Sequence, residues 1–256
     1  MLALAAVFTG CSTGGSAEPV QGPVIVNRVI PLDEPRPLGR LDKAEDAEAF
    51  GEAFRQADRL RGIPDVGPAD YEIRYEAGGE PKQFRLWLGS SGGPGMLMEK
   101  SNTNTAYEID SGVSEDLRQR IASIRYRTDR AEKNGDVIQG PGGTINVQVW
   151  HRFMEQVEQA HPASVQLALY TDEGDPIFHN LEYDGRSVHY LFDNSEDGYG
   201  SPDKVFETCE RILSEPRRTA KPGWTGKVYR LDGCSDHGEG GGGRFEFRVE
   251  EDSRAL

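Results

Sequence analysis

Residues 177–192 read IFHNLEYDGRSVHYLF, two β-rich runs of alternating character on either side of Asp184-Gly185. Asp-Gly between such runs signals a two-residue hairpin loop, because both central positions need positive φ and glycine accepts it at no steric cost. A loop of that length pairs Tyr183 with Arg186, Leu181 with Val188, His179 with Tyr190 and Ile177 with Phe192. That face is nearly all apolar or aromatic and is the expected core face. The other face pairs Glu182 with Ser187 and Asn180 with His189, and is expected to meet solvent. A slip of one residue would exchange the two faces, so this segment commits the chain to antiparallel β structure with one buried side.

The rest of the chain follows the same logic. Val24 to Ile30 is β-branched and short, a strand candidate; LDEPRPLGR after it holds Pro35 and Pro37 and is expected as loop. Asp42 and Glu45 have capping-box spacing for a helix whose inner face is Ala47, Phe50, Phe54 and Ala57. Strands are then predicted around Tyr71-Ile73-Tyr75, Phe84-Leu86-Leu88, residues 96–99 and residues 106–109. A helix starting near Ser114 buries Leu117, Ile121 and Ile124. This predicts β-α-β-β-β-β-α for residues 24–130. After a charged and Gly-rich stretch, with the boundary at residue 131, Asn146 is expected to cap a helix that turns Trp150, Phe153 and Val157 inward. Strands at 165–170, the hairpin, 204–212 and 227–231 complete residues 131–234. A Gly-rich tail at 235–256 holds RFEFRV, a candidate edge strand. The fold class expected is α+β, two small domains, each an antiparallel meander packed against one or two helices.

The first eight residues, MLALAAVF, are apolar and uncharged, too short to span a bilayer, and lead into Thr9-Gly10-Cys11. Phe8-Thr9-Gly10-Cys11 resembles the bacterial lipobox, where a signal peptidase cuts before a cysteine that already carries diacylglycerol. The resemblance implies a signal peptide at 1–10, lipidation of Cys11, a Gly/Ser/Pro-rich tether at 11–23, and a mature protein held by its acyl anchor at the extracytoplasmic face of the cell membrane. With Cys11 acylated, Cys209 and Cys234 are an even pair in an oxidising compartment, and a disulfide between them is expected.

The formal net charge is −14, and residues 131–256 hold 23 acidic against 13 basic residues. Such a surface repels phosphate backbones and disfavours nucleic acid as a partner. No G-x-S-x-G elbow occurs, and all five histidines lie in the second half. Cys209 and Cys234 stand without a CxxC, so zinc-ribbon and thioredoxin-type chemistry are not expected. The hairpin register sends His179 and His189 to opposite faces, which argues against a metal pair. GGPG and GPGG lack the phosphate-loop lysine and are turns. Asp193, Ser195 and Asp197, with Gly198 at the bend, reproduce the first half of a calcium loop. Lys204 stands at the twelfth position where a bidentate glutamate is needed, so an Asx-rich turn is the favoured reading and a weak calcium site the alternative.

Both halves resemble known domains. GIPDVGPADYEIRY, FRLWLG and the Asn-Thr-Asn turn before TAYEI are similar to the YhfM-like domain found in small lipoproteins of Gram-positive spore-forming bacteria. NGDVI, the stretch from Tyr170 through GDPI and YDG, Asp193, Asp197, Gly200, Cys209 and Cys234 resemble a second, uncharacterised lipoprotein domain of the same organisms. These resemblances imply localisation and domain plan but no activity. The expectation is a non-enzymatic binding or envelope-interaction module without a cofactor. The rivals are a hydrolytic enzyme acting on envelope polymers with carboxylates as acid and base, and an accessory subunit of a membrane sensor.

Overall fold

A computed structural model describes residues 20–30, 34–62, 65–89, 92–201, 203–217, 224–235 and 245–252. In β1 (Val20–Arg28) the alternate residues Val24, Val26 and Arg28 are buried on one face. The segment expected as loop is partly a strand, β2 (Arg36–Leu41), paired antiparallel to β1 through a bulge between Val26 and Asn27. Pro37 is tolerated because β2 is the sheet's edge, where no outer neighbour needs its missing N–H. The helix α1 (Ala44–Gln56) buries Ala47 and Phe50 as expected, but Ala53 is buried while Phe54 and the C-cap residue Ala57 are only half-buried, and the capping box does not form. Lys43 stands at the N-cap, and Asp42 instead accepts a hydrogen bond from Arg40 Nε at 2.6 Å.

The strands β3 (Asp58–Arg59), β4 (Tyr71–Ala77), β5 (Glu80–Trp87), β6 (Gly95–Glu99) and β7 (Ala106–Ile109) complete a seven-stranded sheet in the order β2-β1-β4-β5-β6-β7-β3. The helix α2 (Ser111–Ala122) follows, capped by the Asp110 carboxylate, which accepts from Gly112 N at 2.7 Å. The order up to this point is therefore β-β-α-β-β-β-β-β-α, two strands more than expected. A further helix, α3 (Thr128–Asn134), falls in the charged stretch and ends at Gly135, whose φ of 80° needs glycine.

The second half is a six-stranded sheet of β8 (Val137–Gly140), β9 (Gly143–Ile145), β10 (Ala163–Tyr170), β11 (Pro176–Tyr183), β12 (Val188–Asp193) and β13 (Lys204–Cys209), ordered β13-β12-β11-β10-β8-β9. Only β8 and β10 run parallel in it, joined through α4 (Val147–Glu158). Asn146 precedes α4 in a left-handed conformation without a side-chain cap, so the capping role expected of it is not taken. The hairpin register differs from the two-residue expectation. Tyr183 pairs with Val188, Leu181 with Tyr190 and His179 with Phe192. The loop has four residues because the Asp184 carboxylate accepts from the backbone N–H of both Arg186 and Ser187 at 2.8 Å, an Asx turn that closes the chain later. The shift is two residues, so every side chain keeps its face.

The face expected in solvent is nonetheless largely buried: Phe178, Asn180, Leu191 and Asp193 are all covered. The sheet is covered from both sides. On one face Leu167, Leu181 and Tyr190 pack with Trp150 and Phe153 of α4. On the other, Ile138, Ala168 and Phe178 join the core of the first half. The expected strand at 204–212 also divides at Glu210. Its second part, β14 (Arg211–Arg217), begins a third sheet with β15 (Trp224–Asp232) and the edge strand β16 (Glu246–Asp252). Phe245, just before β16, and Phe247 within it close over Trp150. Among the described residues the fold is α+β, with four helices and mostly antiparallel sheets. No helix among the described residues is long and apolar enough to cross a membrane.

Candidate functional site: a charged cleft at one end of the central sheet

The strand directions decide where the turns gather. In an antiparallel meander, successive connections alternate between the two ends of the sheet. The turn after β10 (171–175) and the loop after β12 (194–203) therefore lie at one end, and the Asp184 turn at the other. Since β8 is parallel to β10, the Gly-rich turn at 140–143 joins the first two. The α2–α3 connection brings Arg125, Tyr126 and Arg127 to the same place. Together these four segments line a cleft of about 750 Å³. Gly198 N donates to Asp175 Oδ2 at 3.1 Å and ties the two acidic turns together. Tyr170 Oη donates to the Tyr126 carbonyl at 2.8 Å and fixes the connection to the sheet.

Beneath the cleft lies a buried polar network between the halves. Arg28 Nη2 meets Asp193 Oδ2 at 2.6 Å, with the two side chains 5% and 4% exposed. The same guanidinium donates to Gln166 and lies 3.5 Å from the Phe178 ring centroid, a desolvated cation–π contact. Gln166 Nε2 donates to Asp136 Oδ2 (2.8 Å), which also accepts from Tyr126 Oη (2.5 Å), while Arg36 reaches Asp136 Oδ1. Lys204 pairs with Asp70 at 2.7 Å and completes the link to the seven-stranded sheet. Burial would raise the Asp193 carboxyl, but Arg28 and Lys204 outweigh it and hold it at about 2. Asp136 moves the other way, raised by burial against the pull of its hydrogen bonds.

Glu196, in the loop after β12, lines the cleft. Burial pushes it up to about 7, with Arg28 and Lys204 opposing and Asp193 and Asp175 adding to the rise. It makes no side-chain hydrogen bond among the described residues. In the same cleft Arg125, Arg127, Asp172 and Glu173 likewise have no side-chain hydrogen bond or ion pair among those residues.

The residues singled out in the sequence fall elsewhere or serve another purpose. Cys11 and the segment before it lie outside the described residues. Cys209 and Cys234 are bonded. The β14–β15 register, with Arg211 opposite Asp232, extends outward to set the two cysteines face to face. Among the described residues, one group of His, Cys, Asp or Glu side chains has metal-holding spacing: Glu207 with these two cysteines, whose sulfurs are already joined. In the loop considered for calcium, Asp193 Oδ1 accepts from Ser195 N and Oγ, Asp193 Oδ2 from Arg28, and Asp197 Oδ1 from Tyr199 N. These are the bonds of Asx turns and a buried ion pair. Lys204 reaches across to Asp70. His179 and His189 lie on opposite faces; His179 is buried against Tyr190 Oη at 2.7 Å, and burial pushes it down to about 4.

The fold and cleft define a class in physical terms: an α+β protein whose central sheet is covered on both faces and opens at one end into a concave site lined with charge. Residues 134–221, about a third of the chain, match a domain of unknown function, DUF4362. No curated protein and no solved structure matches the chain. The matched segment holds the three turns of the cleft, whereas Arg125 and Arg127 come from just before it.

Proposed function

We propose that the chain is a lipid-anchored extracytoplasmic module, tethered through Cys11 and carrying a YhfM-like first half, that binds a ligand in this cleft without turning it over. The cleft itself carries the reading: concave, of a size typical for small-ligand sites, with charged groups left unpaired among the residues around it. Charged groups gathered in one concavity can pair with a ligand of complementary charge. The lipobox resemblance and the Gly/Ser/Pro-rich segment after Cys11 supply the address. A hydrolase acting on envelope polymers is the second reading, favoured by Glu196, whose position at about 7 suits a general acid. Against it, Asp175 and Asp197, the neighbouring carboxylates, are tied into turns by Gly198 N and Tyr199 N.

The test is retention on purified envelope fragments by the wild type and by Gly142→Trp. Gly142 lines the cleft with open space around it, so the indole occupies the site without disturbing the fold. Retention lost in the variant, with no soluble product released by the wild type, supports binding. Product release that disappears in Glu196→Gln would establish the hydrolase instead. In cells, Cys11→Ser should move the protein from the membrane fraction to the medium or leave it unprocessed; unchanged fractionation and mobility would refute the anchor.

A further inference from the structure

We infer that the cleft binds a short peptide in zwitterionic form, its terminal carboxylate on Arg125 and Arg127 and its ammonium on Glu196. The inference rests on the cleft being a binding site and adds the class of ligand. Two kinds of charge line one cavity: guanidinium groups from the α2–α3 connection and carboxylates from the turns at 171–175 and 195–198. A purely anionic ligand would be repelled by Asp172, Glu173, Asp175, Glu196 and Asp197. A purely cationic one would be drawn to the carboxylates but would leave the two arginines without a partner. A ligand bearing both charges satisfies each set, and like-charge repulsion rejects the alternatives.

The groups differ in what they have left to offer. Asp193 is consumed by Arg28, and Asp175 and Asp197 accept from backbone N–H groups. Arg125, Arg127, Asp172, Glu173 and Glu196 keep their bonding capacity, and of these three carboxylates Glu196 is half-buried where Asp172 and Glu173 are exposed. Ile138, Tyr170 and Pro176 give the same lining an apolar portion against which side chains can pack. A cavity of about 750 Å³ accommodates a few residues of peptide.

The charged form of Glu196 is the one that pairs with ammonium. The groups acting on it are Arg28 on β1, Lys204 on β13 and, of opposite effect, Asp193 on β12 and Asp175 in the turn; the hydroxyls of Tyr71 on β4 and Tyr170 on β10 feel its charge in return. Because Glu196 is partly protonated near neutrality, taking up an ammonium releases a proton, and affinity rises with pH through that range.

Calorimetric titration of the full chain tests this with trialanine, N-acetyl-trialanine, trialanine amide, putrescine and succinate as probes, in two buffers of different ionisation enthalpy. Trialanine is expected to bind with proton release. Each blocked form should bind about tenfold more weakly or worse, the loss that goes with one charge-assisted hydrogen bond. Arg125→Gln/Arg127→Gln should make trialanine and its amide bind alike, and Glu196→Gln should make trialanine and its acetylated form bind alike and abolish the proton release. Arg125 and Arg127 are exposed, so their replacement leaves the fold intact and keeps the comparison valid should Glu196→Gln fail to fold. Equal binding of the three peptides, or none by trialanine, overturns the inference. Binding of putrescine or succinate alone, lost in the same variants, overturns the ligand class while leaving the cleft as the binding site. Envelope retention unaffected by Gly142→Trp removes the cleft reading itself.

Discussion

Replacing Arg28 by methionine removes one partner of the ion pair that joins the two halves. Arg28 and Asp193 meet at 2.6 Å with at most 5% of either side chain exposed. The variant leaves a buried carboxylate whose remaining support is Ser195 at 2.6 Å and Lys204 at 3.9 Å. Breaking a buried pair from one side costs about 3–5 kcal/mol, because the surviving charge stays desolvated. Arg28→Met should lose that much at pH 7 in urea unfolding followed by tryptophan fluorescence. Asp193→Asn added to it should restore most of the loss, since the amide oxygen still accepts from Ser195 and no charge remains. The coupling between the two sites is therefore about 3 kcal/mol. The pH dependence has a fixed sign. In the wild type the Asp193 carboxyl is lowered from 3.8 to about 2, so its contribution is present above 3.8 and is lost as pH falls toward 2. Without Arg28, burial raises that carboxyl instead, and the variant sheds its unpaired charge by protonation as pH falls. The gap between variant and wild type should narrow at pH 4. A loss under about 1 kcal/mol at pH 7, or a double variant as unstable as the sum of the singles, would refute the reasoning.

Three further outcomes follow from the same structure. His179 is lowered from 6.5 to about 4 by burial, so the unfolded chain takes up a proton that the folded chain refuses; stability should fall by up to about 3 kcal/mol as pH drops from 6.5 to 4, a slope absent in His179→Phe/Tyr190→Phe. Cys209→Ser/Cys234→Ser should lower stability by about 3 kcal/mol, the value of closing a loop of 25 residues, and two free thiols titrated in native protein would refute the bond. Melting temperature should be unchanged by millimolar calcium, because Asp193 and Asp197 spend their oxygens on Arg28 and on turn N–H groups; a rise abolished by Asp197→Asn would restore the calcium loop.

Local periodicity carried much of the fold. Alternation in residues 71–77 and 177–192 and the helical spacing of Ala47, Phe50 and Trp150 lead to the observed elements because each reflects a face buried by its own neighbours. The errors arose where a distant partner decides. Pro37 argues for loop until β1 supplies one hydrogen-bonded side and makes β2 an edge. Glu210 looks like the middle of one strand, yet the chain leaves the six-stranded sheet there for β15. Asn180 and Asp193 are polar and fall on the hairpin face that alternation assigns to water. They are buried because the first half lies over that face, and Asp193 is tolerated there because Arg28, 165 positions earlier, neutralises it.

The cleft was legible in principle, though not from any motif. Thr171-Asp-Glu-Gly-Asp and Asp193-Asn-Ser-Glu-Asp are conspicuous as turns, and each taken alone is an acidic loop of the kind that keeps a surface soluble. What makes them one site is parity. Two connections in an antiparallel meander that are separated by one other connection must emerge at the same end, so the turns after β10 and β12 meet whatever their sequences. The GPGG turn joins them only because β8 runs parallel to β10, a consequence of the helix between them that a domain boundary at residue 131 conceals. Burial raises the carboxyl of Glu196, with Asp193 and Asp175 adding to the rise, and the same end of the sheet brings Arg125 and Arg127 from the α2–α3 connection into the lining of that cleft. The charges that distinguish this end of the molecule are thus ordinary surface residues in sequence, and their chemistry comes from the strand order that gathers them.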